Sequence, residues 1–275
     1  MIPFSEACPG AFEPVDLVLT DFDDTLTLDG RLHAATYAAI ERLHDAGVRV
    51  VPITAASAGW CDQMIHTWPI AAIIGENGGF CFTRRCGEIA RRFWLDTTTR
   101  VDAFAQLAEA AEGIQTAIRG VALADDQPFR LTSLAFKRPD SDEAARHLAN
   151  ALELAGARTT INSIWVLGWF GAYDKIAAAK RFLPDAVGFD IARDSDRAVF
   201  VGDSANDAPM FATIPKSIGV STVRRHLADL PKPPMWVTRG PGGAGFVEVA
   251  DAILAARAAR RTPNDARRRA ETSRA

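Results

Sequence analysis

Five residues of this 275-residue chain have the types and the order needed to do chemistry together: Asp21, Asp23, Thr54, Lys175 and Asp203. Asp21-Phe22-Asp23-Asp24-Thr25 follows one apolar run, Thr54 ends a second, Lys175 opens an alanine-rich amphipathic segment, and Gly202-Asp203-Ser204-Ala205-Asn206-Asp207 follows a third run. An aspartate can attack phosphorus and form an acyl-phosphate, which splits a hydrolysis into two easier steps. A second carboxylate two residues on suits a general acid and base, because positions i and i+2 of an extended backbone share one side. Asp203 can join Asp21 on a hard cation, and magnesium, which takes oxygen ligands and keeps several waters, needs few protein groups. The Thr54 hydroxyl can donate to a phosphoryl oxygen. Lys175, at the positive end of a helix dipole, calls for an anionic neighbour. The sum is a magnesium-dependent phosphoryl-transfer site.

Each residue also has a plainer reading. The Asp21 to Thr25 segment can be an acidic turn, Thr54 a turn or cap residue, and Lys175 a solvated lysine paired with Asp174. Asp207 can cap the helix that follows, with Pro209 early in its first turn. The order of the pieces favours chemistry: three strand-like runs each place a polar or acidic residue at the carboxyl end, where open α/β sheets bind ligands.

The elements that must position these residues alternate. Residues 15–20, 48–53, 71–74 and 198–202 are short, aliphatic and β-branched, the pattern of strands buried on both faces of a parallel sheet. Helical spacing is expected over 32–46, ending before Gly47, and over 57–67. The pattern predicts a doubly wound parallel sheet, a Rossmann-like α/β core. Residues 75–79, Gly-Glu-Asn-Gly-Gly, mark a sharp turn before a strand at 80–82.

This set of motifs resembles the haloacid dehalogenase (HAD) superfamily, whose members mostly hydrolyse phosphate esters through an aspartyl-phosphate. Within it the likeness is to the type IIB, Cof-like branch, which includes sucrose-phosphate and mannosyl-phosphoglycerate phosphatases. That branch carries DxDGT, a Thr ending strand two, a Lys after the cap, and GDxxND, and the resemblance covers roughly residues 15–250. It implies Asp21 as nucleophile, Asp23 as acid and base, Thr54 and Lys175 as phosphate ligands, and Mg2+ held by Asp21, Asp203 and the Asp23 carbonyl. Asn206 and Asp207 would support the metal, and Asn77 would face the cleft or simply turn the chain. Two positions depart from the family: Asp24 stands where Gly is usual, and Ala55-Ala56 follow Thr54 where Gly-Arg is frequent.

Between about residues 84 and 172 the character changes. Strands are expected at 93–95, 131–136 and 164–167 and helices at 99–118 and 141–155, two helix-plus-strand units that make a small α/β cap (C2-type in the family) inserted into the core. The expected domains are thus a discontinuous HAD-like core, 14–83 and 173–258, a cap, 84–172, and a basic, disordered tail, 259–275. Lys137 and Arg138 at a strand end can meet a polar leaving group, and Trp169 and Phe170 can stack on a sugar face or pack the core.

Hydrophobic residues make up 48% and charged residues 24%, an ordinary globular composition, with a net charge of −3. No apolar stretch is long enough for a membrane span, and the first residues show no secretory pattern, so a cytoplasmic protein is expected. Seven arginines against Asp265 and Glu271 occupy residues 257–275, without the interleaved aromatics of a nucleic-acid site. No GxxxxGK[ST] loop occurs, and the glycine-rich 240–245 reads as a loop leading into the last helix. Cys8, Cys61, Cys81 and Cys86 lack metal-finger spacing; free thiols are expected, with a Cys81–Cys86 pair across a hairpin as the alternative. The reading is a phosphatase for a small phosphorylated metabolite, with a sugar phosphomutase or a catalytically weak binding or regulatory protein as alternatives.

Overall fold

The apolar runs form strands where their composition requires it. In the computed structural model of the chain, which describes residues 1–85 and 87–272 with side chains to residue 259, two compact units are present. The first comprises Met1–Val51, Ala192–Asp203 and Met210–Ala275, and the second Pro52–Ile191 and Ser204–Pro209.

The first unit is built on a sheet ordered Ile2–Pro3, Trp236–Val237, Ser217–Gly219, Ala198–Gly202, Leu17–Thr20 and Arg49–Pro52. Ala198–Gly202 pairs in parallel with Leu17–Thr20 on one side and with Ser217–Gly219 on the other. Both central strands are buried throughout, as a parallel sheet covered on both faces requires. Helix Ala34–Asp45 buries Thr36, Ala39, Ile40 and Leu43, one apolar stripe at helical spacing, and Gly47 with φ +75° turns the chain into the next strand. That helix packs on Gly242–Thr272, the last helix, with Arg42 and Asp251 ion-paired at 2.7 Å. Residues 242–245 form the first turn of this helix, so the glycine-rich run starts the helix and does not merely precede it. The expectation for the arginine-rich end, 259–275, lies almost wholly outside the described side chains.

The second unit holds two small antiparallel sheets. One is ordered Ala72–Gly75, Phe80–Arg85, Glu88–Phe93, and the other Arg158–Ile161, Trp165–Trp169, Ser133–Lys137. Helices Thr97–Ala117 and Asp142–Leu154 cover the latter, with Leu107, Ile114, Phe136, Leu148, Leu152 and Val166 in its core. The expected 93–95 strand lies earlier, at Glu88–Phe93, because it is the return arm of a hairpin with Phe80–Arg85. Cys81 in that hairpin is a free thiol that burial pushes up to about 12, Cys61 is also free and buried, and Cys8 is exposed. Cys86 lies outside the described residues. Among the described residues no helix is long and apolar enough to cross a membrane.

Candidate active site

In the first unit two adjacent parallel strands end in acid. Asp21 follows Leu17–Thr20, and its backbone N–H donates to the Val201 carbonyl at 2.8 Å, so the sheet ladder fixes where the side chain begins. Asp203 follows Ala198–Gly202. The two residues are only 4% and 5% exposed, and each offers a carboxylate oxygen within 4.8 Å of the other. Thr25 Oγ1 donates to Asp203 Oδ1 at 3.1 Å, which orients that carboxylate. Like charges held this close in a buried setting repel, and hard oxygen donors of this kind suit a divalent cation that relieves the repulsion.

Asp23 is half-buried and does not continue an extended backbone. The chain turns directly after Phe22, whose carbonyl accepts from the N–H groups of Thr25 and Leu26 at 3.3 and 2.9 Å. The alternation of side chains along a strand therefore does not place Asp23, because the strand has already ended. Asp24 lies within the turn with φ +54°, the left-handed region that glycine enters freely. Its N–H donates to Thr27 Oγ1 at 3.1 Å, and its carboxylate accepts from the Asp29 N–H at 3.3 Å.

In the second unit, fully buried Thr54 is held by its own backbone: its N–H donates to Ile74 O and its carbonyl accepts from Asn77 N, both at 2.9 Å. Thr54 Oγ1 accepts from Ala56 N at 3.0 Å, which leaves the hydroxyl proton to donate elsewhere. No arginine follows Thr54 in sequence, but Arg130, fully buried, donates from Nη1 to Ala55 O at 2.9 Å while its Nη2 meets Asp126 Oδ2 at 2.9 Å. Lys175 is the first residue of helix Lys175–Val187 and only 2% exposed. Its Nζ donates to Asp207 Oδ1 at 2.7 Å, so the surface pair with Asp174 is not formed; Asp174 caps the helix by accepting from Ala177 N. Asp207 ends a short 3-10 turn and its other oxygen accepts from Ser204 N, so it takes part in a capping box as well as in the lysine pair. Asn206 Oδ1 accepts from Ser204 Oγ at 2.7 Å.

Lys175 and Asn206 also line a cavity of about 500 Å3 contained within this unit, shared with Asn77, Glu153, Arg158 and Trp169. Trp169 is packed in the unit's interior and also lines the cavity. It is buried, stacks on Tyr173 at 5.8 Å and donates through Nε1 to Tyr173 O. Burial also raises the Tyr173 phenol, which stays protonated. Lys137 and Arg138 are elsewhere: Trp165 pairs with Lys137 and Trp169 with Ser133, so these basic residues sit at the opposite end of the strand pair from Trp169, about 13 Å away. There Lys137 meets Asp125 at 2.7 Å and Arg138 meets Asp142.

No protein-family model and no curated protein matches this chain. Solved structures do. A protein from Thermoplasma acidophilum aligns over 87% of this chain and 98% of its own with a TM-score of 0.67 at 17% identity. The sucrose-phosphatase of Synechocystis sp. PCC6803, solved with sucrose and phosphate, aligns over 86% and 97% with 0.61 at 14% identity. A phosphatase of the haloalkanoate (HAD) superfamily from Bacteroides thetaiotaomicron aligns over 92% and 98% with 0.59 at 15% identity. The chain has the HAD fold. On that fold the motif residues fall into two groups, Asp21, Asp23 and Asp203 in the first unit and Thr54, Lys175, Asn206 and Asp207 in the second.

Several site features of this HAD-fold chain carried no sequence motif. Glu76 is fully buried, and its carboxylate accepts from Ala58 N, Leu131 N, Thr132 N, Thr132 Oγ1 and Ser133 Oγ at 2.7 to 3.0 Å. It ties the turn after Ala72–Gly75 to the segment that leads into Ser133–Lys137. The only signal in the sequence was the Gly-Glu-Asn-Gly-Gly run, which announces a turn but not a buried acid. Arg158 and Glu153 had no signal at all.

Proposed function

We propose that this protein is a magnesium-dependent phosphatase acting on a sugar phosphate monoester through an aspartyl-phosphate. The observation that carries the reading is the buried pair Asp21 and Asp203 at the ends of adjacent parallel strands. Neighbours on the same fold include a sucrose-phosphatase and a trehalose-6-phosphate phosphatase domain, which supports the substrate class.

In this reading an Asp21 carboxylate oxygen attacks phosphorus and the bond to the ester oxygen breaks, with Asp23 giving that oxygen a proton. Asp23 then takes a proton from water as the water oxygen attacks the same phosphorus, releasing phosphate and restoring Asp21. Thr54 donates its free hydroxyl proton, and Lys175 its charge, to the phosphoryl oxygens; such preorganised donors supply most of the stabilisation in phosphoryl transfer. Asp207, paired with Lys175, holds the ammonium in place, and Asn206 supports the same turn. Asp21, Asp203 and the Asp23 carbonyl would hold Mg2+, which neutralises charge on the transferred group.

Rapid acid quench with 32P-labelled p-nitrophenyl phosphate tests the mechanism. Label on Asp21 is expected, and turnover is expected to vanish with EDTA and return with Mg2+. Label on a histidine or serine, or turnover indifferent to EDTA, would refute it.

A further inference from the structure

Glu76 and Asn77 are consecutive non-glycine residues with left-handed backbones, φ +47° and +58°. Such backbones persist where their surroundings over-determine them, and they concentrate at positions that hold ligands. Here the Glu76 carboxylate is anchored by three backbone N–H groups and two hydroxyls, and the Asn77 N–H donates to Thr54 O at 2.9 Å. The anchored turn fixes the position of Asn77. Asn77 is 3% exposed and lines the cavity beside Lys175, and its Nδ2 has no hydrogen-bond partner among the described residues. Buried amide donors are almost always partnered, and an exception calls for a cause. A half-turn about χ2 exchanges the donor and acceptor ends of the carboxamide, so the buried donor and the acceptor can trade places.

The rest of the lining identifies what the carboxamide would meet. Glu153 and Asp174 bring acceptors and Arg158 and Lys175 bring donors, so formal charges balance. A lining balanced in this way suits a neutral group rich in hydroxyls, each both donor and acceptor, over one with further anionic charge. We infer that Asn77 is a specificity-determining residue whose carboxamide hydrogen-bonds a hydroxyl of a neutral, polyhydroxylated ligand. That this ligand is the leaving group of the ester rests on the phosphatase reading; the binding does not.

Isothermal titration of glucose, mannose, maltose and sorbitol into the full chain tests the assignment. Asn77→Gly removes the carboxamide and keeps a residue at ease with positive φ; Asn77→Asp keeps the shape and loses the donor. At least one polyol is expected to bind wild type, and both variants are expected to bind it about fivefold more weakly, the worth of one neutral hydrogen bond. Their melting temperatures should stay close to that of wild type. Unchanged affinity in the variants, or no polyol bound by wild type, overturns the assignment; if Asn77→Gly does not fold, Asn77→Asp decides alone. Turnover of p-nitrophenyl phosphate by the same preparations separates the two readings. A wild type that binds a polyol without hydrolysing the ester fails as a phosphatase and leaves Asn77 assigned, whereas one that hydrolyses the ester and binds no polyol refutes Asn77 alone.

Discussion

The Asp21–Asp203 pair and the Glu76 turn are both buried acid, and they are solved in opposite ways. Glu76 has five donors on its carboxylate, so its burial stabilises the fold. Asp21 and Asp203 bring two like charges within 4.8 Å, an arrangement that repels and that a divalent cation would relieve. One acid is tied into structure, and in the proposed mechanism the other two serve chemistry. Substitution should separate them cleanly.

The largest effect is expected at the Asp21–Asp203 pair. Asp21→Asn should lower turnover of any ester by on the order of 10^4-fold, because an amide is a poor nucleophile and the residue acts as part of a unit. The melting temperature of the metal-free protein should hold or rise, since one of two repelling charges is gone. A large fall in melting temperature would show that the pair is structural, and the contrast with Glu76 would collapse.

Glu76→Ala should do the reverse. Removing the carboxylate strands several buried donors at once, at a cost of at least about 3 kcal/mol, which lowers the melting temperature of a chain this size by roughly 6 to 12 °C. Calorimetry on wild type and variant checks this. A shift below a couple of degrees would mean that water replaces the carboxylate and that the turn is not over-determined.

The two regions also differ in how much of them could be read in the sequence. The acids at 21 and 203 stand at the ends of Leu17–Thr20 and Ala198–Gly202, and buried parallel strands announce themselves as continuous aliphatic runs. Side-chain alternation could not place Asp23, because the strand ends at Thr20 and hydrogen bonds to Phe22 O turn the chain there. The cavity in the second unit was legible in part: Asn77, Trp169, Lys175 and Asn206 carried a signal, and Glu153 and Arg158 did not. Arg158–Ile161, which brings Arg158 to it, is a sheet-edge strand that is exposed or half-buried along its whole length, so it lacks the alternation that betrays a strand. Lys137 and Arg138 were conspicuous as a basic pair at a strand end, yet the register of the sheet decides which end meets a cavity, and register is set by long-range pairing.

Arg158 and Lys137 turn that lesson into a measurement. Arg158→Ala should reduce kcat/KM on a preferred sugar phosphate by about tenfold and leave p-nitrophenyl phosphate nearly unaffected, because a minimal substrate has no remote groups whose binding energy can be lost. Lys137→Ala should change neither, since its exposed pair with Asp125 contributes at most about 1 kcal/mol to stability and lies at the other end of the strand pair from the cavity. A selective loss at Lys137 in place of Arg158 would move the specificity surface to the other end of the sheet.

The smallest effect is expected at Asp24, next to Asp23 in the turn after Leu17–Thr20. Its φ of +54° explains why a glycine suits the position: a Cβ in the left-handed region crowds the following carbonyl, at a cost of roughly 1 to 2 kcal/mol for most residues. Aspartate lessens the cost by local hydrogen bonding, and here its carboxylate accepts the Asp29 N–H at a long 3.3 Å on the surface. Asp24→Gly trades that weak bond and some unfolded-state entropy for relief of the strain, so stability should change by less than about 1 kcal/mol, while Asp24→Ala, which keeps the Cβ and loses the bond, should cost about 1 kcal/mol. Denaturant melts of the three proteins would show the order Gly, Asp, Ala or near equality of the first two. If Ala equals Asp, the turn does not hold its positive φ in solution, and the placement of Asp23 by this turn fails with it.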